Sequence, residues 1–141
     1  MKRYFYEVDY RYTDDKNDDH FFSIGYFSSL KNAKRAIESV QDKPGFRDSN
    51  GVFDVSKFAV DFDNEVVEKS KVILYELSHE YTDCDGYDNF TIFGLYSNYE
   101  EAETNRIKRI TQSPYNQTPA GFLISECKVD LCGWSEGFTI Y

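Results

Sequence analysis

Residues 4–13 read YFYEVDYRYT and residues 73–82 read ILYELSHEYT, and these two stretches decide how the chain is organised. Both alternate aromatic or aliphatic residues with polar ones, which is the period of a half-buried β-strand. Sliding the sequence on itself by 69 positions places Tyr6-Glu7 on Tyr75-Glu76 and keeps the alternation in phase. Because a slip of one residue would exchange the two faces of a strand, the shared phase indicates one unit used twice.

The same shift matches residues well beyond these first strands. It superposes identical residues in a turn, a second strand, a helix and a third strand: Tyr12-Thr13-Asp14 on Tyr81-Thr82-Asp83, Phe21 on Phe90, Gly25 on Gly94, Ser28 on Ser97, Ala33 on Ala102, Phe53 on Phe122, Ser56 on Ser125 and Val60-Asp61 on Val129-Asp130. The matches need no gap, so we interpret the chain as a tandem duplication.

Each unit is predicted to fold in the order strand, strand, helix, strand. Acidic turns join the first two strands, and Asp85-Gly86 is a strong hairpin signal. Gly25 and Gly94 lie inside the second strands, where glycine often marks a bulge or a close backbone approach. The expected second strands are residues 20–27 and 89–96, and the expected third strands are residues 52–62 and 121–131. The first helix is expected to bury Leu30, Ala33, Ile37 and Val40.

The third strands carry an irregular pattern in both units. Their apolar residues lie on one face up to Val55 and on the other face from Phe58 onward, and the second unit repeats the change. A bulge shifts the alternation of a strand by one residue. We therefore expect a bulge or bend at Ser56 and at Ser125.

The sequence predicts an α+β fold of two tandem, pseudo-symmetric ββαβ repeats, with mainly antiparallel sheet and one helix in each repeat. The expected repeats are residues 1–66 and 67–141, joined by the acidic stretch 63–69 and packed as one compact unit. The two sheets are expected to join edge to edge as one continuous sheet or to pack face to face. Free strand edges also make a homodimer an open alternative.

Composition and charge exclude several classes of protein. The chain of 141 residues has 16 Lys and Arg against 25 Asp and Glu, a net charge of −9, so no nucleic-acid partner is expected. Aromatic residues make up 18%, far too many for a disordered chain. No apolar run is long enough for a signal peptide or a membrane span. The odd set of Cys84, Cys127 and Cys132 favours a reduced, cytoplasmic protein.

Short motifs follow one another in a fixed order in the two units. They are Gly25-Tyr26-Phe27-Ser28, Pro44-Gly45-Phe46, Asp61, Gly94-Leu95-Tyr96-Ser97 and Trp134-Ser135-Glu136-Gly137-Phe138. In this order they resemble a family of small bacterial proteins of unknown function, with Gly-x-Tyr-Ser, an Ala-rich helix, Pro-Gly-Phe, a strand ending in Asp, and Trp-x-Glu-Gly-Phe. The first unit lacks the last motif and the second lacks Pro-Gly-Phe. The resemblance therefore implies one complete set assembled across the two units, and it implies no activity.

No catalytic or metal-binding constellation is recognised in the sequence. His20 flanks a turn and is expected to meet solvent, and His79 lies on an alternating strand face. No Cys-x-x-Cys pair exists for zinc, and the aspartates of the turn around Asp85 lack the distant Glu of a calcium loop. No Gly-rich phosphate loop is present. We predict no catalytic residue, no metal site and no cofactor.

The candidate binding residues are aromatic or lie beside aromatic residues. Trp134 is the only tryptophan, and Trp134 and Phe138 are expected to cover the core of the second repeat or, alternatively, to form an exposed anchor. Tyrosine can bury its ring and keep its hydroxyl in water, which suits strand faces that recognise a partner. The predicted binding set is Trp134, Glu136, Phe138, Tyr10, His79 and Tyr81.

These observations favour a non-enzymatic, acidic interaction protein. We expect an inhibitor of the immunity-protein kind, bacterial or phage, that masks a basic surface of a protein partner and finds it by electrostatic steering. One alternative is a small-ligand-binding or sequestering protein, including one that counters a defence system, with an aromatic pocket between the repeats. Another is a carboxylate-dependent hydrolase, which requires a deep cleft with an Asp or Glu of raised pKa. No membrane partner is expected.

Overall fold

The computed structural model describes residues 1–62 and 72–140. Its helices and strands, in chain order, are β1 (Lys2–Thr13), β2 (Asp19–Phe27), α1 (Leu30–Val40), β3 (Val52–Asp61), β4 (Ile73–Thr82), β5 (Asp88–Tyr96), α2 (Tyr99–Ile110) and β6 (Phe122–Lys128). Two short 3-10 turns, Tyr115–Gln117 and Pro119–Gly121, connect α2 to β6. The acidic stretch 63–69 and the expected boundary between residues 66 and 67 lie outside the described residues.

Each repeat folds as a three-stranded antiparallel sheet with one helix. β1 lies between β2 and β3 in the first sheet, and β4 lies between β5 and β6 in the second. The 11-residue helix α1 returns the chain from β2 to β3, which run in the same direction on either side of β1. The predicted α+β class and the ββαβ order of both repeats are confirmed.

The central strand of the first sheet contributes to a different core on each of its faces. Val8 and Tyr10 of β1 pack with Ala33 and Val40 of α1 in one buried cluster. Phe5 points to the opposite side, because successive side chains of a strand alternate, and it is buried in a second cluster. We call the side of each sheet that contacts its helix the helix face. The other side, which carries Phe5 in the first sheet and Leu74 in the second, is the open face.

The two sheets stack through one end of their open faces. The shared cluster takes residues from both repeats: Phe5, Tyr26, Val60, Phe62, Val72, Leu74 and Val129. Phe5 and Leu74 hold the same position in the duplicated unit and are both 0% exposed. Full burial of such a side chain contributes roughly 1.5–3 kcal/mol. The repeats therefore pack face to face, and the shared core lies at the strand ends away from the hairpins.

The predicted bulges at Ser56 and Ser125 are wrong. β3 pairs with β1 without a shift of register from Val52 to Asp61, and β6 pairs with β4 in the same way. The apolar residues of β3 change face for another reason. Phe53 packs against the core beneath α1, whereas Val60 belongs to the core that the two repeats share.

The bulges lie instead beside Gly25 and Gly94. The β1–β2 register shifts next to Gly25, and the β4–β5 register shifts next to Gly94. A Cβ at position 25 would lie 2.6 Å from the carbonyl oxygen of Leu131, and φ there is +152°, so a side chain would both clash and be strained. The prediction that these glycines mark a bulge or a close approach is confirmed.

Both helices begin after polar N-cap residues. The Ser29 hydroxyl accepts a hydrogen bond from the backbone N–H of Asn32 at 3.1 Å, and the Asn98 side chain accepts one from Glu101 at 2.8 Å. Leu30 was expected to be buried, but it lies in the first turn of α1 and is 42% exposed. The buried residues of α1 are Ala33, Ala36 and Val40.

Candidate functional site

The C-terminal tail of the second repeat lies along the first repeat. After β6, the backbone N–H of Asp130 donates to the Tyr26 carbonyl at 2.8 Å, and that of Gly133 donates to the Ile24 carbonyl at 2.7 Å. The Asp130 carboxylate accepts two further hydrogen bonds from Ser28, from its backbone N–H at 2.9 Å and its hydroxyl at 2.6 Å. The tail therefore covers part of the outer edge of β2, where backbone groups would otherwise face solvent.

The end of the tail enters the aromatic core of the first repeat. The Phe138 N–H donates to the Pro44 carbonyl at 2.9 Å, and the Phe138 ring contacts Phe46 edge-on with centroids 4.9 Å apart. A Cβ at Gly45 would lie 2.5 Å from the Phe138 carbonyl oxygen, and one at Gly137 would collide with the Pro44 carbonyl. The Pro-Gly-Phe motif of one repeat thus contacts the Glu-Gly-Phe motif of the other.

Trp134 lies at the surface of this aromatic cluster. The residue is 44% exposed, and its ring contacts Phe22, with centroids 4.6 Å apart. Its φ is +60°, which is uncommon for a bulky side chain. The tail covers the core of the first repeat and not that of the second, so this expectation is corrected. The reason is that β6 ends at the shared core, beside the free edge of β2.

Tyr10 and His79 occupy the same position in the two repeats, and each is 1% exposed. The Tyr10 hydroxyl lies 2.6 Å from the Ser49 hydroxyl and accepts a hydrogen bond from the Gly51 N–H at 2.9 Å. The Nε2 atom of His79 lies 2.9 Å from the Thr118 carbonyl oxygen. Each side chain therefore holds the segment that precedes the third strand, and neither is accessible to a partner.

The six predicted binding residues fall into two separate groups. The group on the first repeat is Tyr10, Trp134, Glu136 and Phe138, in which Glu136 is exposed. The group on the second repeat is His79 and Tyr81, whose ring centroids lie 5.6 Å apart. The accessible members of the first group, Trp134 and Glu136, are the ones that a partner can contact.

One aspartate braces the hairpin of each repeat. One Asp14 oxygen accepts two backbone N–H groups of its turn, and the other lies 2.8 Å from Nε2 of His20. The hydrogen bond from His20 lowers the pKa of Asp14 below its ordinary value. Asp83 makes the same backbone contacts in the second repeat, and the Asn89 amide takes the place of the imidazole at 3.1 Å. His20, expected to meet solvent, thus has a structural role that an amide performs equally in the other repeat.

A group of carboxylates lies on the open face of the first sheet. Burial, together with the neighbouring charges of Glu7 and Asp54, raises the pKa of Asp9 to about 7. Arg11 forms an ion pair with Asp54 at 3.2 Å. Glu7, Asp9 and Asp54 are not among the described residues that line the cleft between the repeats or the cleft at the hairpin end of the first sheet. The hydrolase alternative requires a deep cleft that contains an acid of raised pKa. Asp9 has a raised pKa, but it does not line either of these clefts.

Cys127 packs against the core that the two repeats share. Burial raises the pKa of the Cys127 thiol to about 11, with a contribution from Glu76, so the thiol stays protonated at neutral pH. Among residues 1–62 and 72–140, no three His, Cys, Asp or Glu side chains are grouped as a metal ion would need. Within the same ranges, no helix has the length and apolar character to cross a membrane.

Two clefts among the described residues differ in character: the one between the repeats is lined mainly by polar groups, and the one at the hairpin end of the first sheet is more apolar. A cleft of about 700 Å³ lies between the repeats, and its described lining includes Asp61, Asn98 and Glu101, with Tyr96 as its one aromatic ring. A cleft of about 560 Å³ lies at the hairpin end of the first sheet. Among residues 1–62 and 72–140, the aromatic residues between the repeats fill a packed core, so the expected aromatic pocket is not formed by that part of the chain.

The sequence pattern did not identify the exposed apolar side chains on the second open face. Phe90 and Leu123 are each 60% exposed, and Ile92 is 45% exposed. Alternation predicts which side of a strand these residues share, but it does not show whether another layer covers that side. The available signal was the difference between the repeats, since the counterparts of Ile92 and Leu123 are the polar residues Ser23 and Asp54.

The chain matches no protein-family model, no curated protein and no solved structure. The resemblance to a family of small bacterial proteins therefore stays a prediction. The function has to be argued from the residues and their geometry.

Proposed function

We propose that the protein is a non-enzymatic, acidic interaction protein, an inhibitor of the immunity-protein kind that masks a basic surface of a protein partner. The observation that carries the proposal is the position of Trp134. The residue is 44% exposed, and its ring packs on Phe22 at the surface of the aromatic core of the first repeat. Tryptophan is strongly enriched among the residues that dominate protein–protein binding.

The tail holds Trp134 in place before any partner arrives. The Gly137 N–H donates to the Trp134 carbonyl at 2.8 Å and closes a turn. On one side of this turn Phe138 is fixed to Pro44, and on the other Gly133 is fixed to Ile24. Because these groups are ordered in the free protein, binding costs little further conformational entropy.

Electrostatics indicates the charge of the partner. The net charge is −9, and the Glu136 carboxylate is exposed two residues from Trp134. Opposite net charges speed the encounter of two proteins, and the effect falls as salt screens the charges. In the complex, a Lys or Arg of the partner can stack on the Trp134 ring or pair with Glu136.

Affinity capture from the native host tests this function. We expect the tagged protein to recover a basic protein at low salt and to release it as the salt concentration rises. Trp134→Ala is expected to weaken binding of that protein about tenfold or more. The matched control is Tyr99→Ala, which removes a 50% exposed aromatic residue at the start of α2, away from the tail. Recovery of no basic protein, or binding that is indifferent to salt, would reject the proposal.

The cleft of about 560 Å³ favours a second candidate, a small-ligand-binding protein. Arg11, His20 and Phe21 bring a guanidinium, an imidazole and a phenyl ring to its lining. This combination suits a planar anion, because guanidinium groups bind carboxylates and stack on rings. A metabolite released from the purified protein, together with a ligand-induced rise in melting temperature that Arg11→Ala abolishes, would favour this candidate over the inhibitor.

A further inference from the structure

We propose that the hairpin end of the second open face is a docking face for a basic protein, separate from the surface around Trp134. This face binds an apolar side chain of the partner, and Lys or Arg residues of the partner surround that side chain. The inference rests on the proposed function, since it assumes the same class of partner. The face is formed by Phe90, Ile92, Leu123, Glu80 and Asp88.

The apolar side chains of this face form one contiguous patch. Ser78 of the central strand pairs with Ile92 on one side and with Leu123 on the other, so these residues share a row. Phe90 lies in the next row, paired with Glu80. Neighbouring rows on one face lie within contact distance of each other. Apolar patches of this kind, rimmed by polar residues, mark interaction sites.

The charge of the face selects its occupant. Glu80 and Asp88 are exposed on it, and its described rows, from Asp88–Thr82 to Leu95–Glu76–Ser125, contain no Lys or Arg. A partner with basic residues around an apolar side chain complements both features. A second copy of this chain would place Glu80 and Asp88 opposite the same carboxylates, and like charges across an interface are unfavourable. The face therefore fits a basic protein better than it fits a second copy.

On the first open face, the charges at the corresponding positions neutralise each other within the protein. Arg11 stands at the position of Glu80, and Asp54 stands at the position of Leu123. The two side chains form an ion pair at 3.2 Å. Phe21 is the counterpart of Phe90 and is 64% exposed, so it provides a control that differs only in its surroundings.

The test is calorimetric titration of the full chain with a synthetic, strand-forming peptide that alternates Leu with Arg. We expect binding that weakens as salt increases, and a loss of affinity of about tenfold or more when Phe90→Ser and Leu123→Ser are combined. Phe21→Ser is expected to change the affinity by less than about twofold. The same peptide with Glu in place of Arg is expected not to bind.

A second pair of variants tests the charge without touching the apolar patch. Glu80→Gln is expected to lower the affinity and the salt dependence of binding. Glu126→Gln is the matched control, because Glu126 is also exposed but lies on the helix face of the same sheet. Since all of these side chains are exposed, we expect the melting temperatures to equal that of the wild type. If the double variant does not fold, Glu80→Gln against Glu126→Gln decides the question.

Three results would overturn the docking face. The first is unchanged affinity in the variants of Phe90, Leu123 and Glu80, and the second is an equal loss on Phe21→Ser. The third is a wild-type dimer that Leu123→Ser dissociates, which would make a second copy the occupant. Each of these results leaves the proposed function intact if Trp134→Ala still weakens binding of the basic protein captured from the host. Capture of no basic protein would reject the proposed function itself.

Discussion

The first open face carries Arg11 and Asp54 where the second carries Glu80 and Leu123. On the first face the arginine and the aspartate neutralise each other at 3.2 Å. On the second face the glutamate is exposed and the leucine is 60% exposed. The bulges, helix caps and braced hairpins beneath the two faces are nearly identical. The contacts that form each repeat are therefore largely the same in both. The residues on the exposed part of the open face differ, because the fold does not depend on them, and they can serve to bind a partner.

The repeats also differ in what completes the core beneath each helix. In the first repeat, Phe46 packs against Phe138 of the tail. In the second repeat, Tyr115 holds the position of Phe46, and its ring contacts His79 and Phe93 with centroids 4.9 Å and 5.0 Å away. The second core is therefore built largely from its own residues, whereas the first depends on the tail.

The largest effect is expected where the tail meets the first repeat. Gly45→Ala places a Cβ 2.5 Å from the Phe138 carbonyl oxygen at a φ of +87°, so both overpacking and backbone strain oppose it. We expect the free energy of unfolding to fall by about 3 kcal/mol. The control is Gly86→Ala, at a similar φ of +84° but in open space, with an expected loss of about 1 kcal/mol. Equal losses in urea denaturation would show that the tail contact does not hold the first repeat.

The buried pair at matching positions gives the next effect. Tyr10→Phe removes the partner of the Ser49 hydroxyl and the Gly51 N–H, so we expect a loss of about 2 kcal/mol. His79→Phe also removes a ring nitrogen, Nδ1, that is buried without a partner among the described residues, so its net cost is expected to be smaller. Urea denaturation of both variants would contradict the account if His79→Phe were the more destabilising.

The carboxylates that distinguish the first open face make stability depend on pH. The pKa of Asp9 is raised from its ordinary value of 3.8 to about 7, so the folded protein holds this proton more tightly than the unfolded chain. Stability is therefore lost as the pH rises from about 4 to about 8, and Asp9→Asn avoids that loss. Because Asp9 is only half buried, we expect the variant to gain about 1 kcal/mol near pH 8.

The gain from Asp9→Asn is expected to vanish below about pH 3, under the ordinary pKa of 3.8, where the carboxyl is protonated in both states. Denaturant titrations across this range measure it. A gain of the same size at both ends would mean that the amide stabilises the fold for a reason other than the proton. Ser78→Asn at the matching position of the second sheet replaces no acid and should show no such pH dependence.

The smallest effect is expected at the hairpin brace. His20→Asn installs the residue that the second repeat already uses, and Asn89 reaches Asp83 at 3.1 Å. We expect a melting temperature indistinguishable from that of the wild type between neutral and alkaline pH. A large loss of stability, or a loss of binding to the captured partner, would show that His20 has a function that Asn89 does not perform in the second repeat.

Local order was predictable from the sequence because periodicity, caps and turn residues act over short distances. The hairpins and both helices follow directly from those signals. Ser56 was misread because a strand that serves two cores produces the same apolar pattern as a bulge. The tail was assigned to the wrong repeat because nothing near Trp134 in the sequence shows which core Phe138 will enter. Gly45 and Gly137 were the only local signs of that contact, because the two backbones can approach each other closely only where neither residue has a Cβ.

The binding residues were the hardest to predict. Aromatic residues on alternating strands are equally typical of a core and of an interface, and Tyr10 and His79 proved to be core. Phe90 and Leu123 follow the same alternation yet remain exposed, because the second sheet extends beyond the shared core at its hairpin end. Only the packing of one repeat on the other decides which faces are covered.

The most direct test of the central claim is the association rate of the captured basic partner as a function of salt. For an acidic inhibitor that finds its target by electrostatic steering, we expect the rate constant to fall at least about tenfold between about 50 mM and about 500 mM salt. Trp134→Ala should mainly raise the dissociation rate and leave this salt dependence unchanged. An association rate that is constant across the salt range would contradict the claim that the acidic surface recognises a basic protein.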